Sequence, residues 1–95
     1  MWWVYVLRCS DGSLYCGISN DVERRLRAHN AGKGSRYVRS RSPASLAFSW
    51  AAGTKSQALK AEYAFKQLSK KQKESIVGAL KNEAKEDISS VALSQ

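Results

Sequence analysis

Two β-branched and aromatic runs, Trp3-Val4-Tyr5-Val6-Leu7 and Leu14-Tyr15-Cys16-Gly17-Ile18, stand on either side of Ser10-Asp11-Gly12, and no other feature constrains the fold as strongly. Runs of this kind around a turn read as an antiparallel hairpin. The loop length then decides where the tyrosines point. A two-residue Asp-Gly turn would send Tyr5 and Tyr15 to opposite faces of the ribbon. A type I turn on Ser10-Asp11, with Gly12 as a left-handed bulge, instead pairs Cys9 with Ser13, Leu7 with Tyr15 and Tyr5 with Gly17. The second register is favoured because Gly12 stands where the bulge needs positive φ. Both tyrosines then share one face, while Cys9 and Cys16 lie on opposite faces and cannot bridge. Two cysteines are also too few for a disulfide framework or a four-ligand zinc site, so they read as structural thiols.

Downstream, Asn20 with Glu23 makes a variant capping box that opens a helix predicted over 21–31, and Gly32 closes it. Val22 and Leu26 form its buried stripe, Arg25 and His29 border the stripe, and Arg24 and Arg27 face solvent. Gly32 to Pro43 reads as a basic Gly/Ser-rich loop with Tyr37 in its middle, and Ser45 to Ala52 as a third strand. Gly32-Lys33-Gly34 superficially resembles a phosphate loop but lacks the Walker spacing. Thr54 with Gln57 caps a helix running to about Leu68, and Ser69 opens another to about Leu80. The expectation is one α/β (α+β) domain over 1–80, with a polar tail over 81–95 and no internal repeat.

Glu62 is the exception to this patterning. On a wheel of about 100° per residue, Ala58, Leu59, Glu62 and Phe65 converge, which puts a lone carboxylate at the centre of an apolar face. An ionised carboxylate leaves water only with a partner. A structural ion pair with Arg25 and a bound cation both satisfy that need.

The charge balance names a class of partner. Sixteen basic residues against eight acidic leave +8, and Arg24 to Arg41 contains Arg24, Arg25, Arg27, Lys33, Arg36, Arg39 and Arg41 without an acid. A field of this sign favours a polyanion, most simply nucleic acid. The apolar run Trp2 to Leu7 is too short for a signal sequence or a membrane span, so a cytoplasmic protein away from membranes is expected.

Phosphodiester hydrolysis requires a Lewis acid, a donor for the phosphate oxygens and a base for water. Glu62 can hold Mg²⁺ or Mn²⁺ through one carboxylate, Arg25 can grip a phosphate bidentately, and Tyr5, Tyr15 and His29 are the proton-transfer groups. Each residue also has a structural explanation: His29 as a packing group near a helix end, the tyrosines as half-buried strand aromatics.

Trp3-Val4-Tyr5, Tyr15-Cys16-Gly17, Arg25, His29 and Glu62, in this order and spacing, resemble the GIY-YIG nuclease domain over about residues 2 to 80. Trp3 stands where the first motif has glycine, Cys16 where the second has isoleucine or valine, and Ile18 where some members have lysine. The segments 31–41 and 61–68 further resemble small stand-alone bacterial members. The resemblance implies a three-stranded antiparallel sheet flanked by helices, and cleavage of one nucleic-acid strand with a single divalent metal. It assigns Tyr5 and Tyr15 as motif tyrosines, with Tyr5 favoured as base, and Gly17 as the motif glycine. Arg25 becomes the phosphate ligand, His29 an active-site histidine and Glu62 the metal ligand.

The expected function is therefore a metal-dependent endonuclease acting on DNA, including branched, nicked or damaged forms. Arg24, Arg27, Lys33, Arg36, Tyr37, Arg39 and Arg41 would form the nucleic-acid footprint. Selectivity would come from this small domain or from a protein partner. The rivals are a catalytically weak nucleic-acid-binding module and a basic adaptor for an acidic protein; a steep fall of affinity with salt separates these two.

Overall fold

The computed structural model describes residues 1–79. The chain forms β1 (Trp2–Arg8), β2 (Leu14–Ser19), α1 (Val22–Asn30), α2 (Arg36–Arg39), β3 (Ser45–Gly53) and α3 (Lys55–Lys66). A further helix, α4, covers 70–79. The expected tail over 81–95 lies outside the described residues.

β1 is central in a sheet of order β2-β1-β3, antiparallel to both neighbours. A central strand covered on both faces needs a continuous apolar run, and Val4, Tyr5, Val6 and Leu7 are all buried. The hairpin takes the bulged register: Tyr5 pairs with Gly17 and Leu7 with Tyr15. Gly12 adopts φ +86° and donates its N–H to the Cys9 carbonyl at 3.0 Å. Asp11 locks the turn by accepting from the Ser13 N–H and hydroxyl at 3.0 and 2.6 Å.

Strand alternation divides the core into two halves. Val4, Val6 and Cys16 pack with Ala58 and Phe65 of α3 and Val77 of α4, beside Phe48 and Trp50. Tyr5, Leu7 and Cys9 pack on the other face with Val38, and Tyr15, Val22 and Leu26 close around them. Cys9 and Cys16 are both free thiols. Arg8 fastens α4 to the sheet through a bidentate pair with Glu74 at 2.6 and 2.7 Å, which lowers the Glu74 pKa.

Several expectations shift. The α1 cap is Asp21, which accepts from the Arg24 N–H at 3.1 Å, rather than Asn20. The Ser19 hydroxyl accepts the Asp21 N–H and starts the helix one residue later, leaving Glu23 to pair with Arg27 at 3.2 Å. At the other end Gly32, at φ +78°, and Lys33 return their N–H groups to the carbonyls of His29 and Ala28. The 32–43 loop contains α2, capped by Ser35 and anchored by fully buried Val38. Thr54 and Gln57 do form a reciprocal capping box, but α3 ends at Lys66, and Leu59 is 47% exposed. The stripe of α3 runs through Ala58, Ala61 and Phe65, so Glu62 lies at its border rather than its centre.

Candidate functional site

Tyr5 enters the α1 side of the sheet from the central strand, and its position depends on its neighbour across the ladder. A Cβ on Gly17 would lie 2.5 Å from the Tyr5 hydroxyl oxygen and 2.7 Å from Cζ, so only glycine permits this approach. The Tyr5 hydroxyl meets His29 Nε2 at 3.0 Å. His29, on the last turn of α1, is fully buried beneath Gly34, where any side chain would collide with its ring. Gly34 thus lids a histidine rather than cradling a phosphate.

The hydrogen-bond network assigns the tautomer. The Ser35 N–H can only donate, and it points at Nδ1 from 3.3 Å, so the hydrogen of the neutral ring belongs on Nε2. Tyr5 therefore accepts from His29. Burial first, and the charge of Arg25 second, hold the His29 pKa below its ordinary value and keep the ring neutral near pH 7. Burial raises the Tyr5 pKa, opposed by hydrogen bonding to Arg25.

Tyr15 extends this cluster toward solvent. Its ring centroid lies 6.4 Å from Tyr5, 5.4 Å from His29 edge-on, and 6.0 Å from Tyr37 in a stacked arrangement. The Arg41 guanidinium covers the Tyr37 ring at 3.9 Å and is itself held by Asp11 at 2.8 Å. Tyr5, Tyr15, Arg25 and His29 are thus brought to one face. Tyr5 is only 1% exposed, whereas Tyr15 is partly open and Arg25 exposed.

Glu62 approaches from the other face. Among the described residues its ion-pair partner is Lys66 at 3.4 Å, not Arg25, and its side chain keeps 19% of its exposure. The carboxylate stands beside Cys16: burial first and the Glu62 charge second push that thiol up to about 12, opposed by Lys66 and Lys73. The two halves of the constellation therefore flank edge strand β2, whose successive residues Tyr15 and Cys16 point to opposite sides.

No group of three or more His, Cys, Asp or Glu that could hold a metal occurs among the described residues. Mg²⁺ needs only one or two carboxylates, with water and substrate phosphate completing its shell, so Glu62 fits it as a single oxygen ligand.

Of the expected footprint, Arg24, Lys33, Arg36 and Arg39 are exposed without a carboxylate partner among the described residues. Arg27 is paired with Glu23, and Arg41 braces the loop against the hairpin turn. Sequence reasoning weighed Gly34 only as part of a phosphate loop and passed over Lys66 and Lys73. The spacing of Lys66 four residues after Glu62 was a usable signal; nothing local marks the other two.

Residues 1–75 match the family model described as the GIY-YIG catalytic domain. A UPF0213 protein of Bacillus velezensis is 51% identical over 77% of this chain and 74% of its own length. One from Streptococcus agalactiae is 47% identical over 85% and 92% of the two chains. The solution NMR structure of a UPF0213 protein from Bacillus halodurans superposes with a TM-score of 0.54 at 44% identity, covering 83% of this chain and 85% of that one. No described helix is long and apolar enough to cross a membrane. With three-quarters of its length and more matched to that catalytic domain, the chain belongs to the GIY-YIG nuclease family.

Proposed function

We propose that this protein is a divalent-metal-dependent endonuclease that hydrolyses phosphodiester bonds in DNA. The observation that carries the reading is the buried Tyr5–His29 hydrogen bond with an exposed Arg25 beside it, set across one edge strand from a half-buried carboxylate. Arg25 grips the scissile phosphate and stabilises the charge that develops on its oxygens. Tyr15, the motif tyrosine open to solvent, accepts the proton of the attacking water as its phenolate and becomes the neutral phenol. Tyr5 does not take that role, because burial raises its pKa and leaves no room for water at its ring. It positions Tyr15 and Arg25 instead, with neutral His29 fixing its hydroxyl. Glu62 holds Mg²⁺ or Mn²⁺, which when bound supplies Lewis-acid neutralisation of the phosphate. The exposed cations of α1 and the α2 loop bind flanking phosphates.

The test is cleavage of duplex, nicked, flapped and branched DNA in Mg²⁺ or Mn²⁺ by the wild type and by Glu62→Gln. Cutting by the wild type alone supports the reading. No cutting by either, with binding intact, replaces it with a nucleic-acid-binding module.

A further inference from the structure

At the edge of β2 a cavity of about 230 Å³ opens. Its lining includes the aromatic rings of Tyr15, Tyr37 and Phe65 and the ammonium-bearing side chains of Lys66 of α3 and Lys73 of α4. We propose that this cavity takes one unpaired nucleotide of a nucleic-acid strand, its base against Tyr37 and Tyr15 and its phosphate between Lys66 and Lys73. The inference rests on the reading of the protein as one that acts on nucleic acid, and it narrows the substrate to strands with a base free of the duplex.

Three observations support the assignment. First, an aromatic lining engages the π-face of a base, and in a duplex those faces are covered by stacking neighbours. Second, Tyr37 remains 38% exposed although both its backbone and its ring are held. Ser35 accepts from its N–H at 3.0 Å, Arg41 donates to its carbonyl at 3.1 Å, and the same guanidinium braces the ring. Arg41 covers part of the ring and Tyr15 stacks beside it, so a base meets the portion of Tyr37 left exposed, and a ring fixed before binding loses little rotamer entropy on that contact. Third, the two ammonium groups come from different helices. Among the described residues Lys73 has no carboxylate within ion-pair distance, its nearest aromatic contact being Phe65 at 6.0 Å. Lys73, with Lys66 shared with Glu62 at 3.4 Å, stands beside an aromatic pair and matches the parts of a nucleotide, and the small volume suits one base rather than a duplex edge.

Binding measured by fluorescence anisotropy in EDTA tests this without reference to cleavage. The ligands are a labelled single strand and a blunt hairpin duplex, and the proteins are wild type, Tyr37→Phe, Tyr37→Ala and Lys73→Gln. Tyr37→Ala and Lys73→Gln should each weaken single-strand binding by about tenfold while changing duplex binding by less than about twofold, and Tyr37→Phe should stay near wild type. Lys73 belongs to α4 and not to the α2 loop, so its variant guards against local misfolding of that loop. Equal losses on both ligands, or no loss on either, would overturn the proposal while leaving a nucleic-acid protein in place. Failure of the wild type to bind any ligand would overturn both this inference and the reading beneath it.

Discussion

Gly17→Ala should destabilise the fold by about 2 kcal/mol, although it adds a single methyl group. The new Cβ would lie 2.5, 2.7 and 3.0 Å from three atoms of the Tyr5 side chain. Tyr5 is on the central strand, so it cannot swing into solvent. Overpacking at such a site costs about 1–3 kcal/mol. A displaced Tyr5 also loses His29 Nε2, which leaves buried polar atoms unsatisfied and adds about 1 kcal/mol or more. Reduced freedom of the unfolded chain returns about 0.4–1 kcal/mol. Urea unfolding reads the balance as a fall in midpoint of about 1–2 M, for a small domain whose slope is near 1–2 kcal/mol per M. Gly78→Ala is the control: nothing lies within 4 Å of its Cβ in α4, so the same exchange should stabilise by about 0.5–1 kcal/mol. A Gly17→Ala midpoint within about 0.3 M of wild type would refute the close approach of Tyr5 to β2.

The remaining predictions concern charge and chemistry. Because the folded His29 pKa is depressed, its neutral form contributes stability that is fully present above the unfolded value near 6.5. That stability is lost as pH falls through the folded value; urea midpoints from pH 7.5 downward should drop, and His29→Gln should flatten the drop. Arg25→Ala and Glu62→Gln should abolish cleavage while sparing most binding, whereas Arg36→Ala or Arg39→Ala should weaken binding and reduce the salt slope by about 1 each. Equal effects of all four would sink the division between site and footprint. Tyr15→Phe should lower the turnover rate more than Tyr5→Phe, and single-turnover cleavage rates of the two variants would show the reverse if Tyr5 is the base.

What could be read from the sequence was what short-range chemistry decides. Gly12 selected the bulged register, and through it the shared face of Tyr5 and Tyr15, because only one turn places a positive φ there. Gly32 ended α1, and Thr54 with Gln57 opened α3, because those devices close hydrogen bonds within a few residues. Choices between neighbouring caps were less legible: Asp21 displaced Asn20 because the Ser19 hydroxyl had taken its N–H. Val38 carried no periodic signal in a Gly/Ser-rich segment, so the turn it anchors stayed hidden. The wheel put His29 at a border, but its burial comes from Gly34 folding back over the ring. Likewise, Glu62 lies at the border of the α3 stripe rather than at the centre its spacing implied, its partner is Lys66 on its own helix, and Lys73 joins that neighbourhood only through the packing of α4.

The central claim is that Glu62 and the Tyr15–Arg25 group serve one cation-assisted site across β2, and Mn²⁺ titration of the ¹⁵N-labelled protein tests it most directly. In the presence of a short oligonucleotide, the amides of Glu62, Cys16 and Tyr15 should broaden first, and Glu62→Gln should abolish that pattern. Broadening centred elsewhere, or unchanged in the variant, would contradict the account.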